Sequence, residues 1–562
     1  MTSRTDCNSS SSMEDTASST MGDLTHSAAL IQNAELSLSD DAEAATKQNE
    51  REALYLHNSC LPVNRLPPEL LLELFLGYVR DPYKSSRVPW ARLRGVCLHW
   101  SQFALSTPIL WRRIDVYASS RWLALCLQNA RETTMDVMFH ARELPAADLC
   151  LLLPHTHRLR SLSFRTHISP EWMPTLLEIL GGDLTALENL HYFPPPSEHH
   201  NLSHHLALTH SRTPLLHTLD LVGTRAPSDM ALLSRLRKLS LSACSTDLTA
   251  SDFLSALASN ARLEVLELSH FLDNLSGRFN APPSLREEGI ALPRLRRLCL
   301  SDHSPHLTSV FLSLLRTPPT LNLNLSGDLG ETEPDQIVSP IVWLLPPPSV
   351  RLSALPILAS PTVTSITARL YQWFYEVHTD SLGSEKGSVS LEVLSANVNS
   401  WYTWLGQGIA DVLDAFGSAQ EVTSLTIYGD QASHSLTDWE NVLRTFPKLE
   451  HISMVGTIGN SELWTVLQAG LDDDNDINGD NAERSSSVPY PRLKRIVYNG
   501  GVDATHAVCT DVLHCLRKRA ERGCRLSSLE LGFVHRSVSY EQMKAIYVPQ
   551  FEAVVDWFAY LG

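Results

Sequence analysis

Leucines recur along most of the chain at a spacing of three and then two residues, in the form Leu-x-x-Leu-x-Leu. This spacing is typical of a short strand that is entered from a turn, because alternate residues of a strand point to the same face. We therefore expect a strand at each cluster. The clusters lie at residues 159–164, 216–221, 236–241, 263–268, 295–300, 449–454, 493–498 and 526–531, with weaker copies at 391–394 and 422–427.

Helical patterns lie between these clusters, for example at residues 252–258 and 439–444. Successive clusters are mostly about 20 to 33 residues apart, which overlaps the range of leucine-rich repeats and slightly exceeds it. One such unit cannot bury its own apolar side, so neighbouring units have to stack. The pattern predicts an α/β fold, an irregular leucine-rich-repeat solenoid or horseshoe, over residues 119–562. A doubly wound α/β domain is the alternative, although its strands would be longer and richer in Val and Ile.

Two segments interrupt the array. Residues 329–362 are rich in proline and contain no clear cluster. Residues 471–489 are acidic, and we expect them to be a disordered, solvated insertion. A calcium loop is less favoured there, because its twelfth position, which should carry a bidentate Glu, is Ser485. The residues that match the first half of an EF-hand loop are Asp474, Asp476, Asn478 and Gly479.

The N-terminal part of the chain has a different pattern. Residues 1–28 are rich in Ser, Thr, Asp and Asn, and we expect a disordered tail because so few apolar groups cannot offset the entropy of ordering. A polar helix is expected within residues 29–60. A helix is then predicted from Pro67 and Pro68, which suit a first helical turn, to the break at Asp81-Pro82. Its apolar positions, spaced as on a helix, are 70, 71, 74, 75 and 78.

A second helix is predicted across residues 90–104, and a turn that ends on Trp111 closes the unit. Two or three short helices in some fifty residues make a marginal core by themselves, so we expect a partner. The positions that would share one face of the second helix are 93, 96, 97, 100, 103 and 104.

The ordered motifs Leu-Pro-x-Glu-Leu-Leu, Val-Cys-x-x-Trp and Pro-x-Leu-Trp in residues 61–118 resemble the F-box, in the form common in fungal proteins. The linker at residues 80–87 departs from that pattern, since it is more basic than usual. F-box proteins dock onto the small Skp adaptor, which in turn binds a cullin scaffold. The resemblance therefore implies a substrate-receptor subunit of an SCF-type ubiquitin ligase, acting in ubiquitin-dependent degradation and without catalysis of its own.

The resemblance also assigns a docking face for the adaptor. Trp111 would join this unit to the leucine-rich array. The alternative is a leucine-rich scaffold with a helical cap that binds no ligase component, in which the same residues would be local core and capping residues. The residues carried over to the docking face and its support are Leu66, Pro67, Glu69, Leu70, Leu74, Val96, Cys97 and Trp100.

The strand positions between the inward leucines face outward, on the concave side of the expected horseshoe. They are the default place for contacts with a protein substrate. The candidate substrate-binding residues, assigned from this geometry alone, are Thr218, Asp220, Lys238, Ser240, Glu267 and Arg297.

Charge and composition limit the classes of partner and the compartments that we expect for this chain. The formal net charge of the 562 residues is −17, which repels a phosphate backbone, so no nucleic acid is expected. No apolar run reaches the length of a membrane span, and the N-terminal residues lack a signal pattern, so we expect no membrane association and a cytoplasmic or nuclear protein. The ten scattered cysteines form no Cys-x-x-Cys pair, which favours free thiols.

Other motifs are weak. His200 and His204, with His210 beyond, could share a helical face as metal ligands do, but no Cys or carboxylate is placed to complete a site. Gly406-Gln-Gly408 lacks the strand and third glycine of a nucleotide loop. We expect no metal, no cofactor and no enzymatic activity. The basic residues at 517–525 are expected at a solvated helix end.

Overall fold

The structure is a computed structural model of the chain. It describes residues 46–50, 52–54, 56–58, 60–80, 89–117, 120–140, 149–165, 170–193, 206–277, 288–302, 304–329, 339–371, 374–380, 387–394, 408–429, 435–456, 462–472, 490–500, 506–533 and 540–561. The predicted tail at 1–28, most of the acidic insertion and the linker at 81–87 lie outside these residues. The chain divides into a helical unit, Met1–Arg112 with Leu127–Arg131, and a sheet unit, Arg113–Cys126 with Glu132–Gly562.

The helical unit is built from short helices, as its pattern predicts. Residues 46–50, 52–54 and 56–58 are helical. The first named helix begins at Pro68 with Glu69 in its first turn, and it ends at Arg80, immediately before Asp81. The helices are α1 (Pro68–Arg80), α2 (Pro89–Arg94), α3 (Leu98–Ser106) and α4 (Ser120–Ala130), the last shared with the sheet unit, and single 3₁₀ turns lie at Pro62–Arg65 and Pro108–Trp111.

The second predicted helix, across residues 90–104, is wrong as a continuous element. The chain forms α2 and α3 instead, because the Gly95 amide bonds back to the Arg92 carbonyl and Cys97 adopts an extended conformation. Cys97 is the N-cap of α3, and its Sγ accepts a hydrogen bond from the Trp100 amide at 3.5 Å. Val96 and Cys97 therefore lie between two helices rather than on the face of one.

The sheet unit is a mixed α/β structure with a large, mostly parallel sheet. The first eight of its seventeen described strands are β1 (Arg113–Val116), β2 (Met135–Phe139), β3 (Leu159–Phe164), β4 (Asn189–Tyr192), β5 (Thr218–Val222), β6 (Lys238–Ser242), β7 (Val265–Ser269) and β9 (Arg297–Asp302). The others are β11 (Asn322–Asp328), β12 (Ser365–Tyr371), β13 (Phe374–Asp380), β14 (Val389–Leu394), β15 (Ser424–Tyr428), β16 (His451–Val455), β17 (Arg495–Gly500), β18 (Ser528–Phe533) and β19 (Phe558–Leu561). They pair in the order β1-β2-β3-β4-β5-β6-β7-β9-β11-β14-β13-β12-β15-β16-β17-β18-β19. A separate parallel pair joins β8 (Ile290–Ala291) to β10 (Leu315–Arg316).

Each leucine cluster forms a strand, so these ten predictions are confirmed. The first described strand of the sheet begins at Arg113, within the predicted 61–118 segment, and the boundary at residue 118 stays a prediction. The other nine described strands were not predicted: they are β1, β2, β4, β8, β10, β11, β12, β13 and β19.

Side chains alternate across the sheet. In β5, Leu219 and Leu221 are buried while the residues beside them are half-buried, and the register carries this alternation from strand to strand. The buried side packs against helices, and the other side, which we call the polar face, carries Ser, Thr and charged groups. The helices are α5 (Met173–Gly181), α6 (Met230–Leu233), α7 (Ala250–Ala258), α8 (Pro305–Ser313), α9 (Pro340–Trp343), α10 (Pro348–Ala354), α11 (Gly408–Phe416), α12 (Leu436–Thr445), α13 (Glu462–Asp472), α14 (His506–Glu521) and α15 (Tyr540–Val554).

The proline-rich segment at 329–362 contains three short helical elements among the residues that the structure describes. Pro340 and Pro348 are the first residues of α9 and α10, and a 3₁₀ turn begins at Pro356. Proline suits these positions because the first turn of a helix needs no amide donor. The prolines here start helices and so interrupt the leucine pattern.

One strand runs against the others. β13 is antiparallel to both neighbours, β12 and β14, so a hairpin is inserted into the parallel order. Tyr371 and Phe374 are register partners with two residues between them, a connection too short for a parallel crossover.

The basic residues near the end of α14 are not all solvated, so that expectation is wrong for Arg519. Its side chain is 0% exposed, and its guanidinium donates to the Tyr490 carbonyl oxygen at 3.2 Å. Arg517 donates to the Gln550 side chain at 2.8 Å. The cluster therefore ties the last elements of the sheet unit together.

Candidate functional site

The apolar stripe of α1 is divided between two surfaces. Leu71 and Phe75 are each 1% exposed and form the local core, whereas Leu70 and Leu74 are 53% and 54% exposed. Leu70 and Leu74 are four residues apart, so they lie on the same side of the helix. Because a stripe at helical spacing does not state which of its residues face inward, only the structure separates the two pairs.

The turn between α2 and α3 adds to the exposed apolar surface. Val96 is 57% exposed, and Cys97 caps α3 as described above. Trp100 is half-buried, and its ring packs edge-on against Phe75, with 5.0 Å between the ring centroids. The indole Nε1 of Trp100 donates to Asn64 Oδ1 at 2.5 Å. Trp100 therefore holds α3 against α1, and Val96 stays in solvent.

The remaining assigned docking residues lie where α1 begins. Leu66 is half-buried, and Pro67 and Glu69 are exposed. Trp111 is fully buried, and its Nε1 donates to the Ala104 carbonyl at 2.7 Å within the helical unit.

Three exposed apolar residues were missed by the sequence reasoning. Leu61, Leu98 and Ile109 are 39%, 56% and 41% exposed. Each lies in or beside a turn, where no periodic pattern indicates the direction of a side chain.

On the polar face of the sheet unit, the structure brings five of the six candidate substrate-binding residues together. Lys238 Nζ lies 3.4 Å from Asp220 Oδ2 and 3.3 Å from Glu267 Oε2. Arg297 Nη1 lies 3.6 Å from Glu267 Oε1. Ser240 is the register partner of both Asp220 and Glu267.

Thr218, the sixth candidate, does not join this network. It is the register partner of Lys238, but its Oγ1 pairs with His217 Nδ1 at 3.2 Å. The network instead includes His191 on β4, whose Nδ1 lies 3.3 Å from Asp220 Oδ2. The segment Leu187-Glu-Asn-Leu-His-Tyr192 carries the cluster spacing with Tyr as its last apolar residue, so a broader pattern would have found His191.

The network sets the charge of Asp220. Burial by itself would raise the pKa of this carboxyl, but the hydrogen bonds from His191 and Ser240 and the nearby Lys238 ammonium together hold the pKa below its ordinary value. Asp220 is therefore a carboxylate near neutral pH, with the Lys238 ammonium of the adjacent strand 3.4 Å away.

Comparison with known families identifies one part of the chain. Residues 63–117 match the family model described as F-box-like, and no curated protein matches the chain. The chain carries an F-box-like domain. The matched residues include all eight positions assigned to the docking face.

The weaker candidate motifs for metal and nucleotide binding form no site among the residues that the structure describes. Within the described ranges, no group of three or more His, Cys, Asp and Glu side chains is arranged to hold a metal ion. His200, His204, Gly406 and the calcium-loop residues 474–485 lie outside those ranges. Gly408 is the first residue of α11, and His210 accepts a hydrogen bond from Arg235 at 2.8 Å. No helix in the described part of the chain is long and apolar enough to cross a membrane.

Proposed function

We propose that the protein is a substrate-receptor subunit of an SCF-type ubiquitin ligase. The observation that carries the proposal is the F-box-like domain at residues 63–117, since F-box domains in general bind the Skp adaptor. Through that adaptor the protein would join a cullin scaffold. We also propose that the F-box is of the form common in fungal proteins.

The surface of the F-box-like domain supports this role. A small helical module that leaves Leu70, Leu74 and Val96 more than half exposed presents an apolar surface of the kind that marks a protein interface. Its own core is formed by other residues, Leu71 and Phe75 among them. The exposed leucines are therefore available to a partner and are not needed to fold the domain.

The sheet unit would then receive the substrate. Repeated strand-and-helix units with inward leucines favour an array of leucine-rich-repeat type, and its polar face offers Asp220, Lys238, Ser240, Glu267 and Arg297 to a protein. In this proposal the protein acts in the cytoplasm or nucleus, performs no catalysis itself and brings substrates to the ligase. A scaffold that binds no ligase component is the competing function.

Co-purification with the Skp adaptor tests the proposal. Wild-type chain co-expressed with the adaptor should elute with it, and the Leu70→Asp, Val96→Asp double variant should not, because two charges replace exposed apolar contacts. The matched control is Leu215→Asp with Leu352→Asp, two exposed leucines of the sheet unit that are 55% and 42% exposed.

The control pair should leave co-elution unchanged. If the wild-type chain does not retain the adaptor, the ligase role is wrong and the scaffold function is favoured. If the double variant retains it as well as wild type, the assigned docking face is wrong.

A further inference from the structure

The inserted hairpin β12–β13 and the strand β14 give the polar face a region unlike the rest. Register places Leu394 beside Phe374 and Phe374 beside Tyr371, and alternation puts all three side chains on the polar face. Tyr371 and Leu394 are 37% and 38% exposed. An apolar row of three adjacent side chains therefore lies on a face where Ser, Thr and charged groups predominate and where other apolar residues, such as Val265 and Val497, lie on separate strands.

A row of charged residues lies directly next to the apolar row. Glu392 is the register partner of Glu376, and Glu376 is the register partner of Arg369. Arg369 Nη1 lies 2.9 Å from Glu376 Oε2, so Glu376 has an ion-pair partner of its own. Glu392 makes no ion pair with any residue that the structure describes.

The position of Glu392 is electrostatically unfavourable. Like charges directly opposite each other on adjacent strands are destabilising. Burial and the nearby Glu376 carboxylate both raise the pKa of Glu392. By contrast, Asp220 and Glu267 on the same face each have a cation within 4 Å. Glu392 therefore has room for a cation that the described part of the chain does not supply.

A recess of about 270 Å³ opens beside Glu392. It extends across β6, β7, β9, β11 and β14, and serine hydroxyls dominate its polar lining. Such hydroxyls both donate and accept, so they can satisfy the amide and carbonyl groups of a bound main chain. The polar lining includes Ser242, Ser269, Ser301, Ser326, Glu267 and Glu392.

We propose that this surface binds a protein segment in which a Lys or Arg side chain reaches Glu392 and a large apolar side chain two residues away packs on the row of Leu394, Phe374 and Tyr371. The charged and apolar rows are two residues apart along each strand, roughly 7 Å, which is also the spacing of residues i and i+2 in an extended peptide. This inference rests on the proposed function, since it names the class of substrate that the sheet unit receives.

Selection from a phage-displayed library of randomised nine-residue peptides on the immobilised full-length chain tests the inference. Wild type should enrich peptides that carry Lys or Arg two residues from Phe, Leu, Ile, Met, Trp or Tyr. Selection on Glu392→Lys should lose that basic preference and favour Asp or Glu at the same place. The control is Glu552→Lys, an exposed glutamate of α15, which should select the same peptides as wild type.

The enriched peptide is then synthesised with a fluorescein label and its binding is measured by anisotropy. Glu392→Gln should weaken binding about fivefold, as expected for a partly exposed ion pair. Leu394→Ser should weaken it by a similar factor through lost apolar contact. Both changes are at exposed or half-buried positions, and unchanged urea midpoints would show that the variants fold.

Three results would overturn the inference: no enrichment by wild type, enrichment of acidic peptides, or the same peptides and affinities for the Glu392 and Leu394 variants as for wild type. The ligase role is judged by adaptor co-elution of the same preparations, which neither substitution should change. A chain that retains the adaptor but selects no basic and apolar peptide contradicts only this inference. One that selects such peptides without retaining the adaptor contradicts only the ligase role.

Discussion

Asp411 in α11 makes the stability of the sheet unit depend on pH. Its side chain is 1% exposed, and burial raises the pKa of its carboxyl from 3.8 to about 7, although hydrogen bonds from Ser339, Tyr375 and the Ile341 amide oppose that shift. Between these two pKa values the folded chain binds the proton more tightly than the unfolded chain. Stability therefore falls as pH rises from about 4 to about 7, and this contribution is then constant at higher pH.

The Asp411→Asn substitution removes the titration and keeps an oxygen that can accept from Ser339 and the Ile341 amide. A tenfold change in proton affinity corresponds to about 1.4 kcal/mol, and between pH 5 and pH 8 the folded chain holds this proton over about two pH units in which the unfolded chain has lost it. Wild type should therefore lose about 2 to 3 kcal/mol of unfolding free energy across that interval through this group. The asparagine variant should lose none through it, so it gains on wild type as pH rises.

Urea unfolding followed by tryptophan fluorescence at pH 5, 6, 7 and 8 measures the difference. The control is Glu552→Gln, which replaces an exposed carboxylate of α15 and leaves Asp411 and the groups around it unchanged. Its curve should run parallel to that of wild type over this interval. If the curves of Asp411→Asn and wild type are also parallel, the carboxyl does not titrate in this range and the reasoning from burial is refuted.

Three further predictions concern docking and packing. Leu70→Ala should weaken adaptor binding by about 1 to 2 kcal/mol and leave the urea midpoint unchanged, because the side chain is exposed in the free chain. Calorimetric titration measures the affinity, and an unchanged affinity contradicts the prediction. Trp100→Phe should destabilise the F-box-like domain by about 1 kcal/mol, because the hydrogen bond to Asn64 is lost. Hydrogen exchange should show faster exchange of the α3 amides, and unchanged exchange would contradict the prediction. Gly387→Ala should destabilise the sheet unit by more than about 1 kcal/mol, because the added Cβ would collide with the Leu321 carbonyl oxygen. A melting temperature equal to that of wild type would show that the backbone relaxes freely.

Local patterns predicted the elements that repeat. The spacing of three and then two leucines located ten strands of the sheet, because inward side chains of a short strand must alternate whatever the neighbouring strands are. The prolines at 67 and 68 likewise located the start of α1, because their geometry suits a first helical turn. The motifs that resemble an F-box lie within the matched residues 63–117.

Where local signals competed, the prediction was wrong or absent. A continuous helix at 90–104 was excluded by the break at Gly95–Cys97, where a thiol cap and back-bonded amides end one helix and begin another. Strands with Val, Met, Phe or Tyr at the inward positions, such as β2 and β4, were missed because the prediction required leucine at those positions. Any apolar side chain at the same spacing can fill an inward position.

The sequence by itself determined which residues alternate in the ten leucine-cluster strands, where α1 begins and that an F-box-like segment precedes a leucine-rich region. Only the tertiary structure decided which half of the α1 stripe faces solvent, that β13 runs antiparallel, and that Glu392 lies opposite Glu376 while Lys238 lies between Asp220 and Glu267. The physical reason is that alternation is a property of one strand or helix, whereas exposure and charge pairing depend on register between elements far apart in the chain.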